Sequence, residues 1–180
     1  MINIKDYELI PHKKIDNKYH IRCREQSICP VCCSPVLKVI GSRNRNVLNS
    51  CGTRIVLVIR RLRCSSCKRI HHELPDCIVP YKRYSSESIE AILDDTEDTV
   101  SCEESTIYRI RKWFGDFSGY LAGCLGAFAA RWDSNVIAVQ SSAMQRIKAY
   151  VGEEARWLAR TVRPVVNTNN WIHTRSAFLT

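Results

Sequence analysis

Between Val36 and Leu74 the apolar positions recur with the period of strands. Val36 to Ile40 is apolar and β-branched, Gly41 to Thr53 reads as a polar loop, and Arg54 to Arg63 (RIVLVIRRLR) reads as a strand. A third strand is predicted from Lys68 to about Leu74, stopped by Pro75, which cannot donate to a ladder. Beyond residue 85 the period becomes helical. Ser85 and Ser86 offer caps for a helix over 87–93 that buries Ile89, Ile92 and Leu93. Ser101 to Glu104 has the spacing of a capping box, and the helix it opens is predicted to run through ESTIYRIRKWF to about Phe114. On that helix Ile107, Ile110 and Phe114 share one face, while Ser105, Arg109 and Lys112 share the opposite one.

The last third reads as helices followed by an irregular tail. From Asp116 to Trp132 the bulky residues Phe117, Tyr120, Leu121, Cys124, Leu125, Phe128 and Trp132 make one stripe; Gly119, Ala122, Gly123, Gly126, Ala129 and Ala130 line the other face. A small-residue face lets a second helix approach, either within the chain or from a second copy in a homodimer. Met144 to Val151 and Glu153 to Arg163 read as two more helices. The second carries Arg156, Arg160 and Arg163 on one stripe, either a solvated face or a second phosphate-contacting surface, and Pro164 is expected to limit it before an irregular tail with Phe178 and Leu179. No apolar run reaches the ~20 residues of a membrane span, so no membrane partner is expected. The charged N-terminus lacks the apolar core of a secretory signal, which implies a cytoplasmic chain with reduced thiols.

The chain of 180 residues has 27 Lys or Arg against 18 Asp or Glu, a formal charge of +9 that favours polyanion partners and excludes neither fold class. That charge is unevenly placed. From Lys38 to Arg83 there are eleven bases and two acids, Glu73 and Asp76; from Tyr84 to Glu104 there are eight acids and no base. The expected organisation is α+β: an N-terminal extension (1–28), a three-stranded antiparallel zinc ribbon (29–75), an extended connector (76–84), a helix-turn-helix-like module (85–114) and a helical C-terminal region (115–180).

The sharpest chemistry lies in two C-x-x-C pairs, Cys29/Cys32 and Cys64/Cys67, on either side of the strands. Two such turns can close a tetrahedron of thiolates on one structural Zn2+ ion with no open position for catalysis. Iron would accept the same ligands, and a pair of buried thiols or a redox dithiol are the other readings of a single motif. Cys33 and Lys68 stand where such turns favour glycine and a positive φ. Cys33, Cys51, His71 and His72 are further potential ligands. The two histidines are expected on opposite strand faces, one packed and one exposed.

A helix, a turn and a second helix presenting Ser and Arg suit a helix-turn-helix, with Ser105, Thr106, Arg109 and Lys112 against base edges and Arg60, Arg61, Arg63, Lys82 and Arg83 against phosphates of double-stranded DNA. The bland alternative is a solvated amphipathic helix. The preceding acids must face away from phosphate, or else the element docks a protein such as a transposase, polymerase or host factor. The cluster His71, His72 and Glu73 is the one candidate for an enzyme.

At CPVC, RRLRCSSCKRIHHELPDCIVPYKRYSSESIEAIL and ESTIYRIRKWF the chain resembles the zinc-ribbon plus helix-turn-helix head of insertion-sequence transposases. It resembles most closely a small bacterial family, domain of unknown function 6431, over residues 29 to 114 and onward through WLARTVRPVVN and WIHTRSAFL. The resemblance implies Cys29, Cys32, Cys64 and Cys67 as zinc ligands, Ser101 to Phe114 as the recognition element, and a mobile-element setting. Residues 115–180 offer only Asp116, Asp133, Glu153 and Glu154 as carboxylates and no strand-rich pattern, so the catalytic domain of a transposase is not expected, nor is enzymatic activity.

Overall fold

A computed structural model describes residues 1–131 and 142–172. The fold is α+β, with four helices and a curled six-stranded mixed sheet. The strands are β1 (Ile2–Ile4), β2 (Tyr7–Pro11), β3 (Lys18–Cys23), β4 (Leu37–Leu48), β5 (Arg54–Cys64) and β6 (Ile70–Pro75). The helices are α1 (Ser86–Leu93), α2 (Glu104–Arg131), α3 (Ala143–Val151) and α4 (Trp157–Asn167), with a 3-10 turn at Glu97–Thr99.

β5 is the axis of the sheet. β4 runs antiparallel along its whole length, while its other edge is shared: β3 pairs in parallel at Val56–Val58 and β6 antiparallel at Arg61–Arg63. β1 then adds in parallel to β6, and β2 antiparallel to β3. A free-standing three-stranded ribbon is therefore not what residues 29–75 form. The first 23 residues supply three of the six strands, and Ile2, Ile4 and Ile21 join Val47, Leu57, Ile59, Leu62, Leu74 and Ile78 in one core.

The segment expected as a polar loop over 41–53 is largely strand. β4 continues through a bulge at Ile40, where the register slips between Val39 and Gly41, and stops at Leu48. Gly41 takes φ 145 there, an angle that an L side chain resists.

The helices gather on a second core of Val79, Ile89, Ile92, Ile110, Trp113, Phe114, Phe117, Leu121, Trp157, Leu158 and their neighbours. Between the cores, Ile78 packs into the sheet and Val79 into the helices, so the 76–84 segment is buried at its middle. Among the described residues no helix is long and apolar enough to cross a membrane.

Both ends of α2 and both ends of α4, which opens at Trp157 rather than Glu153, differ from expectation. α2 continues through Gly115 for 28 residues. A glycine costs about 1 kcal/mol in a helix, less than the burial of Trp113, Phe114 and Phe117 on either side returns. Its start also lies later than the capping box: Glu103 O accepts from the N–H groups of Thr106 and Ile107, and Ser101 donates its backbone N–H to Ser50 O. Pro164 lies inside α4, which runs on to Asn167. Val162, Val165 and Val166 are fully buried there, and at about 1.5–3 kcal/mol per side chain they outweigh the ~3 kcal/mol of an internal proline.

α3 covers part of the small-residue face of α2: a side chain at Gly126 would meet Tyr150 Oη at 3.3 Å, and Ala122 and Ala129 are buried. Trp132, Phe178 and Leu179 lie outside the described residues.

Candidate functional site

Each C-x-x-C pair sits in a tight turn, and the two turns repeat one hydrogen-bond pattern. Cys29 N–H donates to Ser34 O and Cys33 N–H to Cys29 O; Cys64 N–H donates to Arg69 O and Lys68 N–H to Cys64 O, all between 2.9 and 3.1 Å. The pattern requires a left-handed residue after the second cysteine. Cys33 (φ 56) and Lys68 (φ 64) take that conformation without being glycine, at a cost of about 1–2 kcal/mol each.

The turns bring the four sulfurs within 4.8 Å of one another, with Cys29 Sγ 3.6 Å from Cys67 Sγ and Cys32 Sγ 3.5 Å from Cys64 Sγ. Thiolates about 2.3 Å from a tetrahedral zinc stand about 3.8 Å apart, so donor set and spacing fit a metal ion. The Cys67 and Ser66 backbone N–H groups, acting against burial, pull the Cys64 thiol down to about 6. Cys67 goes the other way, up to about 11: the Arg69 N–H favours its thiolate, but burial and the three neighbouring sulfurs outweigh it. Four crowded sulfurs need a cation to ionise together.

His71 is buried on the inner face of β6, with Nε2 3.3 Å from Cys29 Sγ. Burial holds its imidazole neutral, down to about 4. His72, on the opposite face, is half-buried. Glu73 is fully buried and accepts two bonds from Arg60, Nε to Oε2 at 2.6 Å and Nη2 to Oε1 at 2.8 Å, and a third from Ser27 Oγ at 2.6 Å. The His71, His72 and Glu73 cluster thus divides between two supports. One histidine backs a sulfur of the cysteine cluster, and the carboxylate anchors the guanidinium of Arg60.

The residues expected against DNA separate accordingly. Arg60 is tied to Glu73. Arg63 is exposed and Arg61 half-buried at the end of β5. Lys82, Arg83 and Arg109 come together in a hollow of about 380 Å³ with Tyr81, Tyr84, Ile89 and Ile110, where the connector meets α2. Lys82 is buried with Nζ 3.8 Å over the Trp113 ring. Burial draws its pKa down to about 7, while the ring face favours the charged form. Arg109 leans back on its own helix, donating to Ser105 O and Ser105 Oγ at 2.9 and 3.1 Å. Ser105 and Lys112 are exposed and Thr106 half-buried.

The acids of 87–98 are mostly spent inside the fold. Glu90, buried in α1, accepts the N–H groups of Arg156 at 2.6 Å and Leu158 at 2.8 Å, and so caps α4 from another helix. Asp94 takes Lys148 Nζ at 2.6 Å and Trp157 Nε1 at 2.8 Å. Asp95 and Glu97 both hold Arg111. The arginine stripe of α4 is committed as well: Arg156 pairs with Asp76, Arg160 donates to the carbonyls of Val151, Gly152, Glu154 and Ala155, and Arg163 pairs with Glu25.

Arg43 and Arg45 were not legible as site residues because their stretch read as a loop, and Arg54, at the start of the expected 54–63 strand, gave no sign of facing them. The signal was the alternation R-N-R-N after Gly41, which has the period of a strand.

Residues 29–110 match the model of a family described as Domain of unknown function (DUF6431), a span that takes in both cysteine turns, β4 to β6, α1 and the opening of α2. No curated protein and no solved structure matches the chain.

Proposed function

We propose that the chain is a zinc-stabilised protein that binds double-stranded DNA and does no chemistry of its own. The observation that carries this reading is the hollow at the foot of α2. Lys82, Arg83 and Arg109, from two separate stretches, converge there beside exposed Ser105 and Lys112 with no carboxylate in the lining. Such a surface neutralises phosphates without choosing a sequence, and the exposed polar face of α2 supplies the groove-reading element. Zinc is the metal of this reading. It is closed by four thiolates and set between β5, β6 and the 29–34 turn, where it holds the basic strands in place.

Half of the eight acids between Tyr84 and Glu104 are taken up inside the fold and do not oppose this reading, whereas exposed Glu103 accepts from Ser105 Oγ at 3.3 Å and stays beside the proposed α2 contacts. Glu90, Asp94, Asp95 and Glu97 are neutralised by groups of the same chain. For the same reason the adaptor alternative, in which an acidic helix docks a transposase, polymerase or host factor, draws less support. The mobile-element setting follows from the resemblance of the two cysteine turns and the α2 segment to transposase heads.

The test is the double charge reversal Arg109→Glu and Lys112→Glu, with DNA binding read by fluorescence anisotropy. A collapse of affinity of about a hundredfold or more at moderate salt supports the reading. Unchanged affinity with zinc still bound contradicts it.

A further inference from the structure

β4 is an edge strand. Among the described residues it pairs with β5 alone, except at its last residue, where Leu48 donates its N–H to Arg83 O and accepts from Ser85 N–H. Along the rest of that open edge runs a groove of about 480 Å³ lined by Arg43, Asn44, Arg45, Asn46, Leu48, Arg54 and Arg83. Four of the seven lining residues are arginine and none is acidic.

These arginines are not spent on internal ion pairs. Among the described residues no carboxylate pairs with Arg43, Arg45, Arg54 or Arg83. Arg45 is fixed by one bond, Nη2 to Lys82 O at 2.8 Å, and its Nε is buried with no hydrogen-bond partner. Burial, and then the like charges of Arg43 and Arg83, make its guanidinium easier to deprotonate than usual. His72 feels the same field: burial, then Arg43 and Arg61, keep it neutral. A fold that crowds like charges around one groove without a counter-charge is stabilised when an anion fills it.

The lining selects among anions. Planar guanidinium forks match phosphate oxygens in pairs, and the Asn44 and Asn46 amides add neutral donors. No aromatic ring lines the groove, so unpaired bases find no stacking floor. Leu48 is the one apolar residue, too little to seat an apolar peptide. Arg83 belongs both to this groove and to the hollow at the foot of α2. One face therefore continues from the helix onto the strand edge.

We infer that the open edge of β4 is a second phosphate-binding track, holding the sugar–phosphate backbone of the duplex whose groove α2 reads. The inference rests on the duplex-binding reading and adds to it a set of contacts outside the helical module.

The experiment uses the full zinc-loaded chain and a labelled random-sequence duplex of about 30 base pairs in a salt series. It compares wild type with Arg43→Glu/Arg54→Glu and with Arg109→Glu/Lys112→Glu. The β4 pair is expected to lower affinity at least tenfold and to flatten the plot of log K against log salt by about two, at about 0.9 per phosphate lost. Wild-type affinity and slope in the β4 pair, alongside lost binding in the α2 pair, would overturn the track and leave the duplex reading standing. No binding by wild type at low salt would overturn both. Zinc content and melting temperature verify folding, and Arg43→Gln/Arg54→Gln gives the same comparison should the reversal disturb the strand.

Discussion

Lys82 is the residue at which stability and the proposed DNA binding pull apart. Its ammonium lies among Trp113, Tyr84 and Ile89 and is drawn down to about 7 by burial. A base with a depressed folded pKa contributes stability that is complete above its unfolded value and is lost as pH falls toward the folded one. Wild-type stability attributable to Lys82 therefore declines from about pH 10.5 to about pH 7. Lys82→Met is expected to abolish that decline, so its advantage in melting temperature over wild type grows as pH drops through this window while DNA affinity falls. Thermal melts of both proteins at pH 7 and pH 10 check it, and a constant difference would show that the ammonium is not penalised. His71 makes a second residue-scale case. Its Nε2 lies 3.3 Å from Cys29 Sγ, while the four sulfurs that could hold an ion cluster without it, so on the zinc reading it backs a ligand. His71→Ala is expected to retain one zinc per chain and weaken affinity about 10–100-fold, as read by competition with a chromogenic chelator; loss of the metal altogether would make the imidazole a ligand.

At the scale of elements, what the sequence disclosed was local and what it withheld was long-range. The cysteine turns, α1 and the core face of α2 follow from spacings of three or four residues, and Ile110 and Phe114 are buried where periodicity puts them. Other elements depend on partners far away in the chain. β1 forms because β6, some 70 residues later, offers an edge in parallel. β4 begins in the apolar stretch that reads as a strand, and its polar middle from Gly41 to Asn46 is held extended by its pairing with β5. Gly115 and Pro164 carry stop signals that buried neighbours overrule. α4 is the clearest dependence: it opens on Arg156 in a left-handed conformation with no side-chain cap of its own, and Glu90 of α1 supplies the missing acceptors. Glu90→Ala leaves one buried and one half-buried N–H group unmet, at an expected cost of about 1–3 kcal/mol. Denaturant unfolding measures it, and an unchanged midpoint would mean that α4 is held by its apolar face alone.

For the whole molecule, two cores share one buried segment, and the four-cysteine cluster that could hold a metal ion serves one of them. The cysteine cluster ties the 29–34 turn to β5 and β6, whereas Trp113, Phe117, Leu121 and Trp157 pack without it. Chelation is therefore expected to weaken the sheet and DNA binding together and to leave most far-ultraviolet helical signal in place. Full loss of helix on chelation would show a single cooperative unit. The basic surface was legible in the composition, but its course was not. Arg60 was withdrawn by Glu73, and the arginines of β4 became visible once that stretch paired as a strand. The most direct measurement is the affinity of the zinc-loaded chain for random-sequence duplex DNA across a salt series, with metal content determined on the same sample. One zinc per chain is expected, with a log–log slope of about −3 or steeper, the mark of several phosphates neutralised at once. A metal-loaded protein that fails to bind at low salt, or binds with a slope near zero, would contradict the DNA-binding reading.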